Sequence, residues 1–250
     1  MQAKSGSLPD WRDAAAYAPL LGADRSLFAW EWLRRDSDYV EAAHDKDGRA
    51  SRAGQFGLVR FEAPDRTVPD ARPLWAAELH PYVLRVLAGG EGGADDSFDT
   101  ERFATLATLA NSTPNEHLLL SDGLRTVRLD GPAGTFTSGP RKLLYALGGL
   151  AAAERPLVTL RRLLALCRSG HFSRALHRPE PRARRWILML RAHDGLLAGA
   201  SQRDIARVLL SRTAGEPRWR SRESSVRAQA QRLVRSARQI SAGAYRLLLR

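Results

Sequence analysis

Ser224, Arg227, Gln231, Arg235 and Arg238 recur every third or fourth residue, the spacing of one stripe on a helix. Their side chains suit duplex DNA. A guanidinium fork bonds a guanine edge bidentately, a carboxamide bonds adenine, and a hydroxyl reaches a phosphate. At about 100° per residue, Val226, Ala230, Leu233, Val234, Ala237 and Ile240 fall in a separate apolar sector. One stripe packs on the domain while the other faces outward. Ser225 lies beside the polar stripe, and Arg218, Arg220 and Arg222 precede it where they can touch the DNA backbone. A solvated helix with a basic face is the competing reading, but solvated helices mix signs and this face is nearly free of acids.

Other chemistry finds little support. The six histidines (His44, His80, His117, His171, His177, His193) show no metalloprotease spacing, and Cys167 has no second cysteine to share a zinc or a disulfide. Cys167 lies among Leu163, Leu164 and Leu166 and reads as core. His171 and His177, near Arg168 and Arg174, keep a phosphate-contacting alternative open. Gly131-Pro132-Ala133-Gly134-Thr135 lacks the Gly-Lys-Ser/Thr of a phosphate loop. No Gly-x-Ser-x-Gly elbow is present, and Asp95-Asp96 sits in a glycine-rich stretch. No catalytic constellation, metal site or cofactor is expected. Trp11, Trp30 and Trp32 read as core, with a partner surface as the alternative.

The charge is one-sided. The net formal charge is +12, yet residues 1–154 hold 17 basic and 22 acidic residues, whereas residues 155–250 hold 22 basic and 5 acidic. A basic domain beside an acidic one is the footprint of a polyanion binder. No apolar run reaches the roughly 20 residues of a membrane helix. The first residues carry no apolar signal segment. A cytoplasmic location is expected.

The elements that must position these residues follow from caps and breakers. Asp10 can cap a first helix carrying Trp11, Ala15 and Ala18, and Asp24 or Ser26 a second over Leu27–Tyr39. Gln55–Glu62 alternates as a short strand. Gly89–Asp96 reads as a linker, giving a domain over residues 1–93 and a second over 94–250. Glu116–Ser121 and Thr126–Leu129 read as strands around Ser121-Asp122-Gly123, with Thr135–Thr137 as a third. Helical patterns cover Arg141–Ala153, Pro156–Arg168, Pro181–Ala198, Ser201–Leu210 and Arg222–Ser241. Ser201 caps the fourth, Asp204 completes an acidic capping box, and Ile205, Val208 and Leu209 face a core. Small Ala206 admits a following helix closely. Ser221 is the cap expected for the last helix. The fold class expected is mainly α with short β-hairpins (α+β): a small α/β N-terminal domain and a helical C-terminal domain with a helix-turn-helix. In it Ser201, Gln202 and Arg203 open the first helix and Ser211–Arg220 forms an unusually long connection.

Arg185-Trp186-Ile187-Leu188, Ser201–Ala206, Trp219, Ser225-Val226-Arg227, Arg232-Leu233-Val234 and Gly243-Ala244-Tyr245-Arg246 together resemble a proteobacterial helix-turn-helix-variant domain. It is found in activators and antiactivators of integrative and conjugative element transfer. Pro9–Arg12, Phe28–Asp36, Asp38-Tyr39 and Phe56-Gly57-Leu58 resemble the transcriptional-regulator-like domain that often precedes it. The resemblance implies an activator of an excisionase gene, with promoter DNA, RNA polymerase and a small antiactivator as partners and homo-oligomerisation possible in principle. Two other classes stay open. One is a protein-interaction module, an antiactivator or a polymerase adaptor; the other is a DNA-handling accessory factor such as a replication initiator.

Overall fold

The computed structural model describes residues 8–45, 52–90, 93, 96–210 and 219–250, and the side chains of the last helix from Ser225 onward. The N-terminal region is helical. A 3₁₀ turn, Ala15–Gly22, is followed by α1, Arg25–Leu33, and α2, Ser37–His44. No α-helix starts at Asp10: Pro19 sits inside the 3₁₀ turn, where it can supply no amide to an α-helical ladder. The single helix expected over Leu27–Tyr39 is two. Asp36 accepts from the amides of Asp38 and Tyr39, and so starts α2 instead of continuing α1. Asp24 caps α1 through the Leu27 amide at 3.1 Å.

The strand expected over Gln55–Glu62 is instead a 3₁₀ turn, Ala53–Phe56, and a single bridge between Leu58 and Trp75. Gly57 between them has φ 81°, and a Cβ there would lie 2.3 Å from Leu79 Cδ1. The left-handed glycine stops an extended run and lets Leu79 close over the turn. Phe56 and Phe61 both pack on Tyr39. The N-terminal region therefore forms no strand of its own among the described residues.

The middle of the chain builds one mixed sheet: β1 (Val83–Ala88), β2 (Ala107–Ser112), β3 (Asn115–Ser121), β4 (Thr126–Pro132) and β5 (Leu143–Ala146), in the order β2-β3-β4-β1-β5. β1 runs parallel to β4, with Leu84 opposite Leu129, and every other pair is antiparallel. The hairpin at Ser121-Asp122-Gly123 forms as expected, Gly123 taking φ 98°. β1 precedes the Gly89–Asp96 stretch, yet it pairs with β4 and β5 beyond it. Strands on both sides of the glycine-rich stretch thus belong to one sheet. Thr135–Thr137 is a turn, and Leu143–Ala146 is a strand where a helix from Arg141 is expected. Gly148-Gly149 block helix propagation there, and the β1 edge offers hydrogen-bond partners.

α3, Leu150–Ser169, merges two expected helices and runs through Pro156. It lays Leu163 and Leu166 on Leu84, Val86, Leu118, Leu120 and Leu129 of the sheet, with Phe98, Phe103 and Phe136 closing this core. Cys167 is half-buried at its edge. The remaining helices are α4 (Ala183–Leu197), α5 (Gln202–Leu209) and α6 (Trp219–Ser241), followed by a 3₁₀ turn, Ala244–Leu249. Among the described residues no helix is long and apolar enough to cross a membrane.

A second core joins the two ends of the chain. Every residue of α1 from Ser26 to Leu33 is buried, the mark of a helix enclosed by the core. Phe28, Trp30, Trp32 and Leu33 are fully buried, against Trp186, Met189 and Leu190 of α4 and Ala237, Tyr245 and Leu249 of the C-terminal end. Phe28 and Trp186 meet edge to face at 5.1 Å. The core carries a buried polar network. Arg35 bonds Asp194 of α4 through Nε at 2.6 Å and Nη2 at 2.8 Å, and Glu31 through Nη1 at 2.6 Å. Tyr17 donates its hydroxyl to Asp194 at 2.6 Å. Arg34 and the Val68 amide complete the coordination of Glu31.

Burial alone would push the Glu31 carboxyl up, but Arg35, Arg34 and the Val68 amide together hold it below its ordinary value. A carboxyl depressed in the folded state contributes stability above its unfolded-state pKa of about 4.3, and that contribution is lost as pH falls through the lower folded-state value. Urea midpoints measured from neutral pH downward are therefore expected to drop at acid pH, and Glu31→Gln is expected to flatten that drop while lowering the neutral-pH midpoint.

Candidate nucleic-acid interface

α5 begins as its sequence dictates. Ser201 accepts from the Asp204 amide at 3.2 Å, and the Asp204 carboxylate accepts from the Ser201 amide at 3.2 Å, a closed capping box. Those hydrogen bonds hold Asp204 below its ordinary value. Asp204 also pairs with Arg207 at 3.1 Å, a turn further along the exposed side. Ile205 is fully buried and Leu209 partly so. Val208 is 36% exposed, so it does not belong to the core as expected. It sits on the rim beyond the stripe that α4 and α6 cover.

α6 packs on both α4 and α5. Most of its apolar sector holds: Ala230, Val234 and Ala237 are buried, Leu233 and Ile240 pack partly buried against the core, and Val226 is only half-buried. The polar stripe is exposed, with Ser225, Arg227, Gln231, Arg235 and Arg238 all facing solvent beside Arg232. Among the described residues no ion pair ties down Arg227, Arg232, Arg235 or Arg238. Ser201, Gln202 and Arg203 are exposed at the start of α5.

The helix begins at Trp219, so Ser221 lies inside it and is not its cap. Arg220, Arg222 and Ser224 fall in its first turns, with side chains outside the described residues; Arg218 lies outside them altogether, as does most of the connection after Leu210.

A residue from the far end of the sequence centres this unit. Trp11 is 2% exposed and packs with Ala192 of α4, Ile205 of α5 and Val234 of α6. Gly195 makes the space: a Cβ there would stand 3.1 Å from the Trp11 ring. Arg191 of α4 holds the segment in place, donating to the carbonyls of Trp11 and Arg12 at 2.8 Å each. These positioning residues are absent from the stripe-based reading. The available signal is that Arg191 and Asp194 are charged positions on the apolar side of α4, and buried charges must be paired.

Comparison with known families bears on this geometry directly. Residues 149–250, from the start of α3 onward, match a family model described as "T6SS, Transcription factor, DNA binding domain". Residues 10–56 match a proteobacterial transcriptional regulator-like domain. The two domains indicate a DNA-binding transcriptional regulator. No curated protein and no solved structure matches the chain. The DNA-binding match contains α5, α6 and the whole basic stripe, and DNA is the partner it supports. The regulator-like match contains Trp11, α1 and α2, the elements that enter the core of α4, α5 and α6. The sheet of β1–β5 lies between the two matched segments.

Proposed function

We propose that the chain is a sequence-specific activator of transcription that reads duplex DNA through a variant helix-turn-helix. In this reading α5 is the supporting helix and α6 enters the major groove. The observation that carries it is the exposed stripe Arg227, Gln231, Arg235 and Arg238, opposite a buried stripe on the same helix. Arg227, Gln231 and Arg235 would face base edges, and Ser224, Ser225 and Arg238 would contact base edges or phosphates. Ser201, Gln202 and Arg203, with Arg218, Arg220 and Arg222, would hold the sugar-phosphate backbone. The protein acts without catalysis or cofactor, in the bacterial cytoplasm on the nucleoid.

Its partners in this reading are promoter DNA, RNA polymerase and a small antiactivator protein, with a second copy of the chain as an oligomer partner. The target genes divide into two sets. The resemblance to conjugative-element activators points to excisionase and transfer genes, while the matched domain description names T6SS. Sequencing the DNA that co-purifies with the protein decides between them.

Two substitution classes separate base reading from backbone holding. Arg227→Ala and Gln231→Ala are each expected to cost about 1–3 kcal/mol of discrimination at one or two base positions. Arg203→Ala is expected to weaken binding on all duplexes alike and to lower the salt slope by about 1. Gel shifts across a salt series, on selected and scrambled duplexes, measure both. If neither Arg227→Ala nor Gln231→Ala alters the preference, α6 is not the reading helix.

A further inference from the structure

Away from the α5–α6 face, a cleft of about 240 Å³ opens where the start of α1, the entry to β1, α3 and the C-terminal 3₁₀ turn meet. Arg162 of α3 and Arg178 of the following loop line it, with Tyr82, His80 and Leu248. The two acidic side chains lining the cleft are already engaged, and Arg25 also donates to the Arg250 carbonyl oxygen at 3.2 Å. Asp24 accepts from the Leu27 amide, the Ser26 hydroxyl and the Thr126 hydroxyl. Glu180 pairs with Arg25 at 2.7 Å and accepts from the Arg182 amide at 3.1 Å.

Arg162 and Arg178, unlike Arg25, are not neutralised in the same way. Arg162 is half-buried over the Tyr82 ring at 5.8 Å and spends only its Nε, on the Leu176 carbonyl at 3.0 Å. Among the described residues its two terminal nitrogens have no hydrogen-bond partner, and Arg178 has none on any nitrogen. A guanidinium fork held by its Nε and aimed into a concave site is the arrangement that binds carboxylate or phosphate bidentately. Burial, against the pull of Asp24 and with Arg128 and Arg162 nearby, pushes His80 down to about 4, so its ring is neutral at neutral pH and adds a donor and an acceptor.

We propose that this cleft is a binding site for a small oxyanion, a compact metabolite whose carboxylate or phosphate group sits on Arg162 and Arg178 and whose body lies against Tyr82 and Leu248. The volume, below the roughly 300–1,000 Å³ of drug-sized sites, restricts the ligand to a small molecule. Leu248 and Arg250 follow α6 in the chain, so an occupant ties that end of the molecule to α3 and α1. Control of DNA affinity by the occupant rests on the proposed function; the binding itself does not.

The test is calorimetric titration of the full chain, without DNA and at constant ionic strength, with pyrophosphate and separately with citrate. Saturable binding of one ligand at one site per chain is expected, and which of the two binds names the oxyanion class. Arg162→Gln and Arg178→Gln are each expected to weaken it about tenfold or more, and Arg227→Gln to leave it unchanged. Arg178 is exposed, so its variant retains the fold if the Arg162 variant does not. Loss in Arg227→Gln with none in Arg178→Gln would place the anion on the basic helix face and overturn the proposal. Absence of saturable binding by both ligands would overturn it as well.

Discussion

Asp194→Ala is expected to destabilise the fold by about 3–5 kcal/mol, the cost of breaking a buried pair by removing one partner. Asp194 accepts two hydrogen bonds from Arg35 and one from the Tyr17 hydroxyl, all buried. Its removal leaves the guanidinium balanced by Glu31, which Arg34 already shares, and leaves the Tyr17 hydroxyl with only the long contact to the Pro9 carbonyl at 3.4 Å. Because Arg35 and Tyr17 belong to the N-terminal region and Asp194 to α4, the loss falls on the joint between them. Urea denaturation followed by both circular dichroism and tryptophan fluorescence reads it. Ser201→Ala, which removes an exposed cap, is the comparison, with an expected cost of about 0.5–2 kcal/mol. Equal midpoints for Asp194→Ala and the native chain would mean that the network does not hold the joint.

Trp11→Ala is the second large effect, at about 3–5 kcal/mol for truncating a buried aromatic ring. Among the described residues the indole nitrogen has no hydrogen-bond partner, so the loss is one of ring packing and of the Arg12 guanidinium contact at 4.5 Å. Trp11 stands among α4, α5 and α6, so its removal opens a cavity beneath the proposed DNA-binding helices. DNA affinity is expected to fall together with stability although no DNA-facing side chain is altered. Trp11→Phe, which refills part of the space, is expected to recover part of both. Gly195→Ala probes the same contact from the other side, and crowding of the ring at 3.1 Å is expected to cost about 1–3 kcal/mol. Denaturant midpoints and anisotropy titrations on one duplex check these together. Native affinity in Trp11→Ala would separate the N-terminal region from the DNA-binding unit.

The C-terminal helices are legible in the sequence because their signals are local. A serine with an acid three residues on forms the capping box it promises, and the apolar spacing of α6 predicts the buried Ala230, Val234 and Ala237. Val208 departs because a helix of eight residues presents only a narrow buried face. The sheet is only half legible. The hairpin of β3 and β4 announces itself by its turn, whereas β1 and β5 are fixed by pairing across about sixty residues, which no local window contains. For the same reason the glycine-rich stretch resembles a linker although strands before and after it pair in one sheet.

The exposed members of the candidate site follow from periodicity alone. The residues that position them do not. Trp11 reads as ordinary N-terminal core, and only the packing of α4 and the space left at Gly195 show that it serves the C-terminal unit. Arg35 and Asp194 lie too far apart in sequence for either to announce the other.

The most direct test of DNA reading by α6 is anisotropy titration of the intact chain on the duplex sequence it enriches and on a scrambled duplex of the same length. The native chain is expected to prefer the enriched duplex by about 10³-fold or more at physiological salt. An Arg227→Ala, Gln231→Ala, Arg235→Ala variant with an unchanged denaturation midpoint is expected to lose most of that preference while keeping weak, salt-sensitive binding to both. Equal affinity of the native chain for the two duplexes, or a preference that survives all three substitutions, would contradict it.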